Sequence, residues 1–348
     1  MTEEIRGISP SKPVYVVKKR SIWPWIIGGI IVFGLLVILS ISLSLNVTLI
    51  RGEGQAGIIP SARPRVSEFL IEGEGKAKIA VIPVEGIIGF SRGGGIWGKE
   101  NLVRQVSAAL ARAEEDEEVE AVILRINSPG GGITASDVLH QRVKDFKEGG
   151  KKVVSLFGDV AASGAYYLAA PSDLIVAHPT TVTGSFGVII QSFNLEGLMR
   201  KIGVGDVTIK AGEQKDLLSP FRSLSPEEKK LLQGVVDEMH ERFIRVIAEG
   251  RKLDGAKVRE YADGRIFTAS GALERELVDE IGYEKDAIRL ARHLAGRDEA
   301  RVVEYRAVST FWDLLRSQIG NLSPRSQISR LGGLLQPSSP RLLYLWQI

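Results

Sequence analysis

The sequence predicts an α/β fold with a largely parallel sheet, preceded by one transmembrane helix. Three observations carry this. From about Lys76 to Ala300, apolar strand-like runs alternate with amphipathic helical stretches across short connections, the pattern of parallel strands with helical crossovers. Glycine-rich loops, SRGGGIWG and NSPGGGI, recur where such runs end, which is where these folds place their ligand sites. Before them, Ile22–Leu45 is 24 residues without a charge. As a helix it would measure about 36 Å, enough to cross a hydrocarbon core.

Taken in order, residues 1–21 are expected to stay cytoplasmic, because Lys18, Lys19 and Arg20 flank the apolar span. Trp23 and Trp25 suit its interfacial edge, and everything after Leu45 is expected on the extracytoplasmic side. A cleaved signal peptide is the rival reading. It calls for a shorter apolar core and a small-residue cleavage site. Residues 46–75, with recurrent glycines and Pro60 and Pro64, read as a linker.

The folded domain is expected over 76–300. A buried strand lies within Lys76–Ile88, and a helix over about 101–113 carries Leu102, Val106 and Leu110 on one face. A strand over Val119–Ile126 ends at NSPGGGI, with a helix over about 135–147 beyond it. The strand Lys151–Phe157 is expected to turn at Gly158–Asp159 and lead through Ser163 into an alanine-rich helix. Further strands are expected at 173–177, within 181–190 and at 206–210, with a short helix over 195–202. Ser225, Pro226 and Glu228 make a capping box for a long helix to about Glu249, whose buried stripe would be Leu232, Val235, Met239, Phe243 and Ile247. A helix over 285–295 and a strand-like RVVEYRAV follow. Residues 301–348 are expected to be partly disordered or docked. Their apolar LLYLW stretch could pack on the enzyme or a neighbour, contact membrane, or thread toward the site as a self-substrate.

Composition excludes several chemistries. The 348 residues contain no cysteine, which removes thiol catalysis and thiolate metal sites, and four scattered histidines give no ligand cluster. A net charge of +3, partly crowded near one end, offers no case for nucleic acid. NSPGGGI lacks both the Lys-Ser/Thr of a phosphate loop and the dinucleotide fingerprint, so it reads as a flexible turn or an oxyanion cradle.

The chemistry centres on FGDVAASGAYYLAA, where Ser163 would sit at the start of a helix among small residues that let a backbone approach. A serine nucleophile needs a base. His178 stands at a strand end; Lys215 lies in a polar loop bounded by apolar sequence, where desolvation can favour a neutral amine, and Lys210, closing the expected strand before that loop, is the next candidate. On residue pattern alone these remain alternatives, as does an ordinary capped helix.

SPGGG, DVAASGAYY, TGSFGVI, and KDLLSP followed by Arg222 together resemble the signal peptide peptidase family, serine proteases of the S49 type. The resemblance runs from about Lys76 to Gly282. It implies a ClpP/crotonase-like superhelix of β-β-α units, with Ser163 as nucleophile and Lys215, 52 residues later, as base. It also implies that Ser185 orients the lysine and that Gly130 and Gly131 form the oxyanion site. The implied substrates are remnant signal peptides and other hydrophobic membrane-associated peptides. No cofactor is implied; ring- or dome-like homo-oligomers are. Asp159 is expected to be structural. Tyr166, Tyr167, Val188 and Ile189 are candidates for substrate pockets, against a plain reading as core. The chain departs from the family pattern at Ala165, at His178 and Thr180, and at Glu276, none of them a catalytic group. Two other function classes stay in view: a crotonase-like acyl-CoA enzyme and a non-catalytic membrane scaffold.

Overall fold

The computed structural model describes Phe33, Leu35 and residues 65–90, 101–308 and 342–345. The chain divides into two units, 1–62 and 63–348. The expected span at 22–45 lies outside the described residues apart from Phe33 and Leu35, which are helical. Among the described residues no helix is long and apolar enough to cross a membrane.

In chain order the second unit comprises β1 (Arg65–Glu72), β2 (Lys78–Glu85), α1 (Leu102–Glu115), β3 (Val119–Ser128), β4 (Gly130–Gly132), α2 (Ile133–Glu148), β5 (Lys152–Ala162) and α3 (Gly164–Ala169). Then come β6 (Leu174–Ala177), β7 (Val182–Gly184), β8 (Ile189–Ile190), α4 (Glu196–Ile202), a 3-10 turn (Glu213–Asp216) and α5 (Pro226–Arg251). The remainder is α6 (Gly255–Arg259), β9 (Ile266–Thr268), α7 (Ala269–Leu273), β10 (Glu280–Ile281), α8 (Glu284–Leu294), β11 (Arg301–Val308) and β12 (Leu342–Leu345). This is an α/β fold with a mostly parallel sheet. The main sheet runs β1-β11-β2-β3-β5-β6-β10, with β7 on β5 and β9 on β7. Its β1–β11 and β7–β9 pairs are antiparallel and its other pairs parallel.

The buried strands alternate their side chains between two layers. Ile79, Val81, Ala121, Ile123 and Val154 meet Ala287, Ile288 and Ala291 of α8 on one face. Ile82, Val84, Val122, Leu124 and Phe157 meet Val103, Val106 and Leu110 of α1 and Leu139 and Val143 of α2 on the other. Period-2 patterning thus sorts each strand between two helical layers, and the apolar stripes of α1 and α2 close the larger core.

Four expectations change. Residues 65–72 are not linker: they form β1, whose Glu68 meets the buried Lys78 Nζ at 3.2 Å. Lys78 also reaches Asp116 and Glu118 at 3.1 Å, tying the edge strand to the sheet. Gly158–Asp159 does not turn the chain. After a register shift opposite β3, β5 continues to Ala162 by pairing with β7. Residues 206–210 are not a strand, and Val207 and Ile209 stand 88% and 98% exposed with no sheet edge beside them. The helix after Ser163 is only six residues long, so its dipole is too short to be the main device of the site. The capping box of α5 forms as expected, Ser225 Oγ accepting from Glu228 N and Glu228 accepting from Ser225 N. Along α5, Phe243 and Ile247 are buried, whereas Leu232, Val235 and Met239 are only half-buried.

Candidate active site

Ser163 joins the end of β5 to the head of α3 with φ 55° and ψ −120°, a conformation that costs a non-glycine residue roughly 1–3 kcal/mol. Two bonds hold it there: its N–H donates to Gly184 O at 2.8 Å, and its carbonyl accepts from Tyr167 N at 3.0 Å. The side chain is buried, yet Oγ has no hydrogen-bond partner among the described residues. A strained serine whose hydroxyl is left bare is poor for stability and suited to a nucleophile.

Ser185 lies immediately beyond Gly184, the residue paired with Ala162, so the β5–β7 ladder sets the two serines on neighbouring strands. It also has φ 55°, fixed by its N–H donating to Arg265 O at 2.7 Å.

The SPGGG loop forms β4. Ile88 N donates to Gly130 O at 2.8 Å and Gly132 N to Ile88 O at 2.9 Å. By strand alternation the N–H and C=O of Gly131 therefore face away from Ile88, toward β12. Gly130 N donates to Ser128 Oγ at 3.1 Å, so of the two glycines expected at the oxyanion site only Gly131 turns its amide to the groove. Glycine is required at 131, since a Cβ there would stand 1.9 Å from Ile88 O. At Gly164, a Cβ would stand 2.3 Å from Ser136 Oγ and 3.2 Å from Gly131 N. Gly164 N–H, at the helix head where no helical acceptor exists, is a second candidate donor that its motif did not reveal.

Lys215 lies in the 3-10 turn and is exposed; among the described residues its ammonium has no hydrogen bond or ion pair, so the structure does not join it to Ser163. Its neighbour Asp216 is tightly held. Arg222 Nε and Nη2 each reach Asp216 at 2.8 Å, Lys210 Nζ reaches it at 2.7 Å, and Arg222 continues to Glu228 at 2.8 and 2.5 Å. These cations hold the Asp216 carboxyl well below the usual range, and Arg222 takes Glu228 down to about 2. This clamp fixes the turn that presents Lys215. Lys210 is thus engaged as a structural cation.

Tyr166, expected on a substrate pocket, is instead a core residue: fully buried, with its hydroxyl donating to Leu277 O at 2.7 Å. Tyr167 is the aromatic beside β12, its hydroxyl donating to Asp137 at 2.7 Å, with Arg242 on the same carboxylate at 2.7 Å. Adjacent helical residues point about 100° apart, an orientation that composition does not give. Val188 is half-buried against the core, and Ile189 pairs with Leu343. Ala165 is fully buried. Asp159 accepts from Asn127 Nδ2 at 3.3 Å. His178 Nδ1 is engaged with Thr180 Oγ1 at 2.8 Å and packs edge-on against Tyr283. It lines a cavity of about 640 Å³ with Arg125, Phe157 and Lys285, which contains neither serine nor Lys215. Glu276, at φ 60°, pairs with Lys257 at 2.7 Å. No group of acids or histidines among the described residues could hold a metal ion.

His140 of α2 stands edge-on to Tyr167, at 5.2 Å between centroids. Burial pushes its imidazole down to about 4, with Asp137 opposing and Lys144 and Arg242 assisting. A histidine kept neutral in the fold lowers stability as the unfolded chain takes up its proton. Its contribution is complete above about pH 6.5 and is lost as pH falls toward about 4. His140→Gln should therefore flatten the fall in melting temperature between pH 6.5 and 4, measured by thermal unfolding across that range.

The model of peptidase family S49 matches residues 145–298. A protein of Enterococcus faecium assigned as the signal peptide peptidase SppA is 37% identical over 281 residues, 80% of each chain. One from a Synechocystis species, assigned as a protease, is 40% identical over 65% of this chain and 78% of its own. Among solved structures, a mutant ClpP1 of Listeria monocytogenes aligns with a TM-score of 0.40 at 19% identity, over 60% of this chain and 94% of its own.

Proposed function

Because the chain belongs to peptidase family S49, a family of serine proteases, we propose that it is a membrane-anchored endopeptidase that cleaves remnant signal peptides and other hydrophobic peptides through a Ser163–Lys215 dyad. The observation that carries this reading is the buried, strained Ser163, whose hydroxyl has no partner among the described residues and whose neighbour Gly164 packs against Gly131. In the proposed reaction neutral Lys215 takes the Ser163 proton, and Oγ attacks the peptide carbonyl. The oxyanion is met by Gly131 N–H, with Gly164 N–H as second donor. The lysine returns the proton to the leaving amine, and water activated by the same lysine releases the acyl-enzyme. Ser185, on the strand next to Ser163, orients the lysine.

Lys215 completes the dyad from a neighbouring copy. Supporting this are its exposure and the apolar side chains on the same stretch: Phe193, Leu198, Ile202, Val207 and Ile209 are each more than half exposed, the mark of a surface that meets another chain. The fold is read as ClpP/crotonase-like, with the glycine strand at the end of β3 beside the head of α3. The uncharged stretch 22–45 supplies the anchor, places the domain on the extracytoplasmic side and brings it to peptides leaving the bilayer.

Labelling of the detergent-solubilised full chain with a fluorophosphonate tests the reading. Ser163 should be modified, and Lys215→Ala should abolish the modification. A label that persists in Lys215→Ala rejects this lysine as the base.

A further inference from the structure

The cavity beside His178 lies apart from both serines and Lys215, and the way the sheet ends explains why it is there. Arg125, Leu156 and Val176 stand in one row across β3, β5 and β6. Two residues earlier, Ile123 and Val154 are covered by Ala287, Ile288 and Ala291 of α8. Because α8 starts only at Glu284, helical cover gives out at this row, at the carboxyl ends of three parallel strands. There β5 also changes partner: Phe157 lies opposite Ala177 of β6, and Val160 opposite Val182 of β7. Open parallel sheets place their binding crevices outside the carboxyl ends of strands, where the topology switches. The cavity measures about 640 Å³, inside the range of roughly 300–1,000 Å³ that small-ligand sites occupy.

Its lining has an apolar part and a charged part. Leu156 with the Phe157–Gly158 stretch makes the floor, and the rings of His178 and Tyr283 make one wall, edge-on at 4.9 Å and 88°. Three of the four polar lining side chains are engaged. Arg125 Nη1 donates to Glu284 at 3.3 Å, Arg125 Nη2 pairs with Glu304 at 3.2 Å, and His178 Nδ1 meets Thr180 Oγ1. Lys285 differs: among the described residues its ammonium has no hydrogen bond or ion pair. Glu284 is the one acid in the lining and is neutralised by Arg125; Glu304, outside the cavity, is shared with Arg306. An apolar chamber is thus left with one unbalanced cation.

From this combination we infer that the cavity is a second binding site, and that its ligand is an apolar carboxylate. The ligand's chain lies on Leu156 and against the Tyr283 ring, and its carboxylate accepts from Lys285 Nζ. Arg125 can add to this, since a guanidinium has five N–H donors and the two glutamates take two of them. Two sources share this chemistry, the carboxyl end of an apolar peptide and a free fatty acid. The inference goes beyond the peptidase reading and does not depend on it, because no residue of the cavity belongs to the site at Ser163.

Titration calorimetry on the full chain in detergent tests this, with detergent alone as the blank. The probes are N-acetyl-leucyl-phenylalanine for the peptide source and octanoate for the fatty acid, each beside its amide. At least one acid should bind, about tenfold or more tighter than its amide, the worth of one charge-assisted hydrogen bond. The tighter acid identifies the source. Lys285→Met should weaken that acid by a similar factor, and Tyr283→Ala should weaken acid and amide together; both residues are exposed, so neither change opens the core. The inference is overturned if neither acid binds, or if acid and amide bind alike. It is overturned equally if the acid binds Lys285→Met and Tyr283→Ala as it binds the wild type, because the acid then sits elsewhere.

Discussion

Replacing Ser163 by alanine should lower kcat/KM for peptide hydrolysis by about 10³-fold or more and leave the melting temperature unchanged or slightly raised. The two halves of that result have different origins. The rate falls because no described neighbour offers another nucleophile: Ser136 Oγ donates to Gly132 O at 3.0 Å, and Ser185 is committed to a different strand end. The stability holds because Ser163 Oγ makes no hydrogen bond among the described residues, so alanine removes a buried polar atom that none of them satisfies. The backbone contacts at Gly184 and Tyr167, which fix φ at 55°, are main-chain and survive the change. A serine with a structural role behaves oppositely, losing stability with its hydroxyl. Thermal unfolding and steady-state hydrolysis on the same preparation therefore separate the two roles. Retained activity, or a drop of several degrees with activity intact, would remove Ser163 from the mechanism.

Much of this arrangement is legible in the amino-acid sequence. Local signals are strong where one element decides its own form: the Ser225–Glu228 box, the apolar stripes of α1 and α2, and the β-branched runs of β2, β3 and β5. They fail where the deciding partner is distant. RVSEFLIE sits among glycines and prolines and becomes a strand only because β11, more than two hundred residues later, pairs with it. DVTIK has strand composition but no edge to join. The DVAASGAYY motif singles out Ser163 but not its strain, which comes with the bond to Gly184 on a separate strand. Nor does it tell which tyrosine faces the groove, a matter of how the six residues of α3 pack against α2 and α5. Residues 342–345 show only an apolar pattern; their position opposite Gly130–Gly132 is a long-range pairing that no short motif carries. The motifs name the parts of the site, and the tertiary pairing gives them their geometry.

Lys215→Ala should lower kcat/KM by about 10³-fold, the weight of a base that serves both halves of the reaction, and its partner experiment decides where that base comes from. Lys215 is exposed on a turn braced from behind by Arg222, with Asp216 and Glu228 as anchors, so the turn keeps its shape while its lysine points to no described acceptor. If the lysine serves the Ser163 of its own copy, a mixture of Ser163→Ala and Lys215→Ala chains contains no complete site and stays inactive. If it serves a neighbour, each contact between a Lys215→Ala chain supplying the serine and a Ser163→Ala chain supplying the lysine rebuilds one dyad. Random co-assembly should then restore about one site in four. The measurement is hydrolysis after the two variants are dissociated and reassembled together, with mixed oligomers verified by mass. Mixed oligomers without activity would confine the dyad to one chain. Recovered activity would make assembly a condition of catalysis, because the exposed apolar stretch from Phe193 to Ile209 and the catalytic lysine would then be brought into place by the same contact.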